Sequence, residues 1–470
     1  MKGASGNWVL ASIATVALLA RPAAASDPLQ APTDEPASGP PSCQTSHECA
    51  AREGYGRVCV DGRCLDYIDD SDLLNLFKLT PKQAPPPTPF KLYPAIIPAI
   101  GYNPALGFLL GVVGNFGMYL GQPDDTTISS ANALVLVTTN SQLVIQLGTT
   151  LMSARNEWEL QGDWRFLLYN QDTYGLGTAV PPLSSGVSID GWGSTAPLSG
   201  GQPMKFNMIR FNELVLHRAF AEHLYLGGSF RYGRYYDIVD ENLNLAASPP
   251  VVTYNYAYNV VEGFDPSAYT LSGVSVDVLY DSRDSTINPY RGLYAHLGYA
   301  VYPTWLGSSQ TSTQLGAEFR AYVGLSDDVP RNVLAFWVIA SGVTSGSQPY
   351  MALPSVGWDA KGTTGRGYVQ GRFRGPSVVY AEAEWRFRIT DNGFLGGAIF
   401  VNGETFSRPA VSLPAYGFSI AASNLFADVK PAGGVGLRFL MNKESRTNIR
   451  LDFGYGVDGL AIYLGAGEVF

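Results

Sequence analysis

Charge is scarce in this chain. Only 15% of its 470 residues are Asp, Glu, Lys or Arg, against roughly a quarter in ordinary soluble domains. Histidine and cysteine are scarce too, at four each. HExxH, a P-loop, GxGxxG after a strand and GxSxG with a credible triad are all missing. That removes the common metalloprotease, nucleotide-binding and serine-hydrolase readings. Paired carboxylates such as Glu382 and Glu384 share one face of a strand, which alone suits acid–base work. No nucleophile–base pair accompanies them, so no enzyme and no cofactor is expected. Beyond the N-terminus no run reaches the ~18 apolar residues of a membrane helix. What the chain has instead is 52 glycines and 12% aromatics. Low charge with abundant Gly, Tyr, Phe and Trp fits an all-β protein, including one that faces lipid.

The first residues read as a secretory signal, 1–25. Lys2 precedes the apolar core "WVLASIATVALLA", and "AAAS" offers cleavage after Ala25; the alternative is a short buried helix or anchor. The formal charge of −9 becomes −11 without Lys2 and Arg21. Such an acidic exported chain is a poor nucleic-acid ligand. Residues 26–42 form a Pro/Ser/Ala-rich linker. All cysteines, Cys43, Cys49, Cys59 and Cys64, fall in the module 43–65. An oxidising compartment makes two disulfides the default, with three possible pairings. The alternative is a metal site with His47, although the spacing is not that of a zinc finger, and no metal is expected. Residues 66–91 read as a short acidic helix followed by the stiff spacer "PKQAPPPTPF".

From residue 92 to 470 the character is constant. In "VVYAEAEWRFR", Val379, Ala381, Ala383, Trp385 and Phe387 alternate with Glu382, Glu384, Arg386 and Arg388. Period two puts successive side chains on opposite faces of a strand. About sixteen such strands start near residues 93, 105, 128, 142, 156, 204, 222, 268, 291, 310, 331, 376, 393, 431, 446 and 461. The long connections, 171–203, 239–267, 345–375 and 406–430, all follow odd-numbered strands, whereas those after even-numbered strands are mostly short. A soluble sandwich has no reason to sort its loops in this way. An outer-membrane barrel does, with long loops at one end and short turns at the other. The expectation is a transmembrane antiparallel up-and-down β-barrel of about 16 strands, preceded by a small Cys-rich segment.

Three motifs stand out. "TGRGYVQGRFRG", 364–375, crowds four glycines around three arginines before the twelfth strand. "YDSRDSTINPYRGLYAHLGY" spans 280–299, and "NIRLDFGYGVDG" leads into a last strand ending on Phe470. With the softer "QDTYGLGT", 171–178, these resemble the barrel of the bacterial surface antigen family, the outer-membrane assembly and translocation proteins of the BamA/TamA type. The resemblance covers residues 93–470. The periplasmic POTRA repeats of the assembly-type relatives have no counterpart among the roughly sixty-five residues before the barrel, which puts client handover by such repeats in doubt.

The resemblance implies that Gly365, Arg366, Gly367 and Tyr368 form a loop folded into the lumen, its arginine meeting an aspartate in a Phe-x-Asp-x-Gly strand. Here that strand reads "AIFVNGETF", so Asn402 replaces the aspartate and Glu404 the glycine. Glu404 is expected to become the partner of Arg366, with Asn402 as a neutral acceptor and Glu382 and Glu384 as competitors. The plain alternative is a solvated loop without pairing. Gly465 and Phe470 resemble the C-terminal insertion signal of outer-membrane barrels, from which Glu468 departs. Asp281, Arg283 and Asp284 either pair locally or are solvated turn residues. Pro94 and Pro98 interrupt the first strand, which weakens its ladder with the last and suits lateral opening. The implied function is protein insertion or translocation at the outer membrane; the alternatives are a passive channel, a structural barrel, or a receptor or adhesin. The expected partners are outer-membrane lipid, the assembly machinery for the chain's own insertion, and a periplasmic protein at the N-terminal segment.

Overall fold

The computed structural model describes residues 57–60, 63–66, 87–103, 107–179, 188–189, 200–326, 331–390 and 393–470. The signal, the linker, Cys43, His47, Cys49 and the expected helix beyond Asp66 lie outside the described residues. Within the Cys-rich module, Arg57–Val60 and Arg63–Asp66 form a hairpin that sets Cys59 opposite Cys64.

Sixteen antiparallel strands build one barrel. They are β1 (Tyr93–Asn103), β2 (Gly107–Met118), β3 (Ser129–Thr138), β4 (Leu143–Met152), β5 (Trp158–Thr173), β6 (Gln202–Arg218), β7 (Leu224–Asp240) and β8 (Tyr269–Asp281). There follow β9 (Gly292–Tyr302), β10 (Ser312–Gly324), β11 (Val333–Ser345), β12 (Ser377–Arg388), β13 (Leu395–Phe406), β14 (Lys430–Asn442), β15 (Thr447–Gly456) and β16 (Gly459–Ala466). Each pairs with its neighbours in the chain. Alternation explains the barrel locally. In β12, Tyr380, Glu382, Glu384 and Arg386 are buried in the lumen, while Ala381 and Trp385 are exposed outside. The same rule puts Leu110, Val135, Ile145, Phe319, Phe336 and Val401 on the outer surface, where they are exposed. So much exposed aliphatic and aromatic surface suits hydrocarbon and not water.

The circuit is weakest between its first and last strands. β16 is the neighbour of β1 in the closed barrel, but the two meet along a short stretch among the described residues, and Ser188 and Ile189, from a long loop, also pair in parallel with Ala461 and Ile462 of β16.

The long connections 174–201, 241–268, 346–376 and 407–429 share one end. The loop 241–268 carries a helix that the strand periodicity did not foreshadow, α1 (Tyr254–Glu262), with Thr253 as N-cap and Gly263 in the left-handed region at its C-terminus. It anchors the root of the next long loop. Tyr258 Oη donates to the Gln348 carbonyl at 3.0 Å, and Tyr350 N–H donates to Asn259 Oδ1 at 3.0 Å. From that root the loop 346–376 enters the barrel.

Candidate functional site: a luminal arginine latch

The glycines of "TGRGYVQGRFRG" let the backbone follow the wall. Gly365, Gly367 and Gly371 all have positive φ, a region costly for residues with a Cβ. At Gly367 (φ +115°) a Cβ would also fall 2.7 Å from that of Ala432 on β14, so the loop passes directly against the wall. Tyr463 fastens it there: Gly367 N–H donates to Tyr463 Oη at 2.8 Å, and that hydroxyl donates to the Tyr368 carbonyl at 3.0 Å. Tyr368 Oη donates to the Pro431 carbonyl at 2.7 Å.

Between those glycines Arg366 is 1% exposed. Its Nη1 donates to Asp452 Oδ2 at 3.0 Å. Its Nη2 donates to Glu384 Oε2 at 2.5 Å and to Glu382 Oε1. The guanidinium lies 3.6 Å from the centre of the Phe400 ring. Asn402 Nδ2 donates to the Arg366 carbonyl at 2.9 Å. The partners belong to a wider network. Glu384 also accepts from Arg386 Nε at 2.6 Å and Arg438 Nη2 at 3.3 Å. Asp452 accepts from Arg438 and Arg450, and Glu468 accepts from Arg438 Nε at 2.8 Å. Arg366, Arg386, Arg438 and Arg450 thus balance Glu382, Glu384, Asp452 and Glu468. β14 leaves room for this with Gly436, where a Cβ would stand 2.0 Å from Asp452 Oδ1. Charge-assisted pairs of this kind are strong where water is excluded, and costly to break one-sidedly.

Two further arginines fix the loop's return. Arg372 Nε donates to Asp458 Oδ2 at 2.6 Å and its Nη2 to Oδ1 at 3.3 Å. Arg374 Nη1 donates to the carbonyls of Tyr350, Met351 and Leu353. The segment 171–178 clamps the same place, with Gly177 N–H on the Arg374 carbonyl at 2.7 Å and Gln171 Nε2 on the Gln370 carbonyl at 2.8 Å.

A plugged sixteen-stranded barrel is a definite architecture, and comparison with known proteins gives it a family. The Omp85 superfamily domain matches residues 222–459, half of the chain. The chain belongs to the Omp85 superfamily. As such it is an outer-membrane β-barrel protein. No curated protein matches it in sequence. Similar solved structures include CdiB from Escherichia coli, 10% identical over 82% of this chain and 63% of that one, TM-score 0.49. CdiB from Acinetobacter baumannii is 12% identical over 78% and 62%, TM-score 0.42. BamA from Haemophilus ducreyi lacking POTRA domains 1–3 is 16% identical over 78% and 66%, TM-score 0.41. The chain therefore spans less than two thirds of the length of each of these three.

In this Omp85 barrel the latch departs from the sequence expectation. Arg366 does not pair with Glu404. It pairs with the supposed competitors Glu382 and Glu384, and with Asp452, which the sequence reading had not singled out. The reason is depth. Glu404 lies opposite Tyr380, and Phe400 opposite Glu384. The guanidinium descends to the Phe400 level, two register steps beyond Glu404. Only the loop backbone passes Glu404, where a Cβ on Gly365 would be 3.2 Å from Oε2. Both Glu404 oxygens are buried without a hydrogen-bond partner. Asn402 serves as a donor to the loop backbone, and not as an acceptor for the guanidinium.

The turn 281–291 is paired, not merely solvated. Arg283 Nε and Nη2 donate to Asp281 Oδ1 and Oδ2 at 2.9 and 2.6 Å, both residues being buried. Asp284 accepts from Arg446 Nη1 at 2.5 Å, linking this turn to the β14–β15 turn. The last strand stops at Ala466, and residues 467–470 turn into the lumen. Gly465 stays on β16. Phe470 is buried, its ring stacked on Trp337 at 5.1 Å. Glu468, the departure from the insertion-signal pattern, is an ion-pair partner of Arg438. Of the histidines, His217 packs on Trp158 outside the barrel, and His296 pairs with Asp277 at 2.9 Å inside it. His223 lies in a turn with positive φ. No group of three potential metal ligands occurs among the described residues.

Proposed function

We propose that this Omp85 barrel inserts or translocates proteins at the outer membrane by parting β1 from β16. The observation that carries the reading is the seam. β16 and β1 close the barrel as neighbours, but among the described residues they meet along a much shorter stretch than the other neighbouring strands, and the loop residues Ser188 and Ile189 take up part of the β16 edge. Pro94 and Pro98 withhold two N–H donors on β1. An edge without its full ladder is the place where a client strand can add by main-chain hydrogen bonding. The latch loop and the inward-turned residues 467–470 occupy the lumen, which supports this reading over a passive open channel. In this reading the chain has no catalytic role. The disulfide-bonded N-terminal segment lies in the periplasm and binds a periplasmic protein there. Phe470 acts in the chain's own insertion before it docks in the lumen.

Paired cysteines placed across β1 and β16 provide the test. Oxidised, they should abolish assembly of outer-membrane clients in cells, and reduction should restore it. Assembly that continues with the seam covalently shut would refute the proposal. Liposome conductance supplies the companion result: the intact barrel should be nearly silent, and a steady wide pore would favour the channel reading.

A further inference from the structure

On the outer wall, Thr149 of β4, Gly162 of β5, Glu213 of β6 and Phe230 of β7 stand side by side in register. Period two turns them outward with the exposed Trp158, Trp164, Phe211 and Val215, while Glu159, Asp163, Leu214 and Leu216 are buried on the other face. The neighbouring rows are apolar: Leu147, Trp164 and Phe211 on one side, Leu151, Leu160 and Val215 on the other. Glu213 is therefore a carboxyl group set among residues that face hydrocarbon. The other outward charges of β5 to β7, Asp172, Lys205, Arg234 and Asp237, lie in the extracellular halves of their strands. A carboxyl group on the lipid face is costly, and its presence points to something that completes it.

The surroundings of Glu213 form a notch around a missing side chain. A Cβ on Gly162 would lie 2.7 Å from Thr149 Oγ1, 3.1 Å from Glu213 Oε2 and 3.2 Å from Trp164 Nε1, so three polar groups converge on one point. Trp164 Nε1 donates to Glu213 Oε2 at 3.0 Å, and Thr149 Oγ1 accepts the Gly162 N–H at 3.1 Å. Among the described residues Glu213 Oε1 accepts no hydrogen bond and the Thr149 hydroxyl donates none. Trp164, stacked on Phe211 at 5.3 Å, walls the notch. Lipid headgroups lie outside the apolar rows and do not serve it. Its occupant has to present both a donor and an acceptor at this depth. A second copy of this chain does so by symmetry. A half-turn about an axis along the membrane normal keeps every atom at its depth and sets the spare donor of each copy opposite the spare acceptor of the other. The glycine at the centre lets the two walls approach closely, as small residues do at contacts within membranes.

We infer that the outward face of β4 to β6, centred on Gly162, is a contact between two copies of this chain in the membrane. Thr149 of each copy donates to Glu213 of the other, and the apolar rows above and below exclude lipid from the pair. This contact does not depend on the proposed function, since it lies on the wall away from the β1–β16 seam.

The test uses the full chain in phosphatidylcholine vesicles, labelled through Ser141→Cys at the tip of the β3–β4 hairpin with a donor dye in one batch and an acceptor dye in another. Energy transfer is followed as the protein-to-lipid ratio rises. The chain with native Thr149 and Glu213 should associate saturably, with the acceptor dependence of a dimer. Glu213→Leu and Thr149→Val, which put apolar side chains on a lipid-facing surface and so spare the fold, should each need at least tenfold more protein per lipid for half-association. Glu213→Gln keeps an amide oxygen to accept and should stay within about threefold of the parent. Resistance of the barrel to SDS without heating shows which variants are folded. A parent chain that stays monomeric at every density overturns the contact whether or not the variants fold, and leaves the notch to a different membrane partner. A folded Glu213→Leu or Thr149→Val chain that associates like the parent overturns it as well.

Discussion

Two inward-facing carboxylates one strand apart, Glu384 on β12 and Glu404 on β13, have opposite surroundings. Glu384 accepts from three arginines, Arg366, Arg386 and Arg438. Glu404 accepts from none, although each is 1% exposed. Same chemistry, same face of the sheet and similar burial give one site filled with cations and one left empty. The difference is axial. The loop backbone passes Glu404 and delivers its guanidinium further down, where β15 adds Asp452 and the glycine-lined stretch of β14 leaves space. In a barrel, the face a residue occupies comes from its strand's period, but its partners come from depth.

The contrast can be broken from either side. Arg366→Ala should have the largest effect. It leaves buried Glu382 without a cation and takes one from Glu384 and Asp452, at a cost of ~3–5 kcal/mol. Urea unfolding of the detergent-solubilised barrel, with limited proteolysis of the loop 346–376, measures it: lower stability and a cleavable loop are expected. Asp458→Asn should be intermediate. It weakens the bidentate pairing with Arg372 but leaves an amide oxygen to accept, so the loss should be about 1–2 kcal/mol by the same assay. Glu404→Gln should be the smallest effect, neutral within ~0.5 kcal/mol or stabilising, because it replaces a buried carboxyl group that no partner engages. A loss comparable to that of Arg366→Ala would show that Glu404 carries part of the latch after all.

The barrel itself is legible in the residues. Each of the sixteen strands begins within two positions of its expected start. Hydrophobic alternation is a local property, and the short turns such as 153–157 and 443–446 punctuate it. The latch loop is legible too, because glycines on both sides of Arg366 serve little purpose except a forced backbone path. Its partners are not. Period two correctly places Glu382, Glu384, Asn402 and Glu404 inward but says nothing of how deep a thirty-residue loop descends. Asp452 was nonetheless findable: it is an inward carboxylate in "NIRLDFGYG", and Gly434 and Gly436 on the neighbouring strand open space beside it. The inward turn at Gly467 was hidden because "AIYLGAGEVF" keeps strand-like alternation to its end, while the pull on Glu468 comes from Arg438 on another strand.

The central claim is that Arg366 is latched by β12 and β15, not by β13. A pair of double-mutant cycles tests it most directly, Arg366→Ala with Glu384→Gln and Arg366→Ala with Glu404→Gln, read by equilibrium unfolding in the same detergent. The account predicts a coupling above ~1.5 kcal/mol for the first pair and within ~0.5 kcal/mol of zero for the second. The reverse order, with Arg366 coupled to Glu404 and indifferent to Glu384, would contradict it.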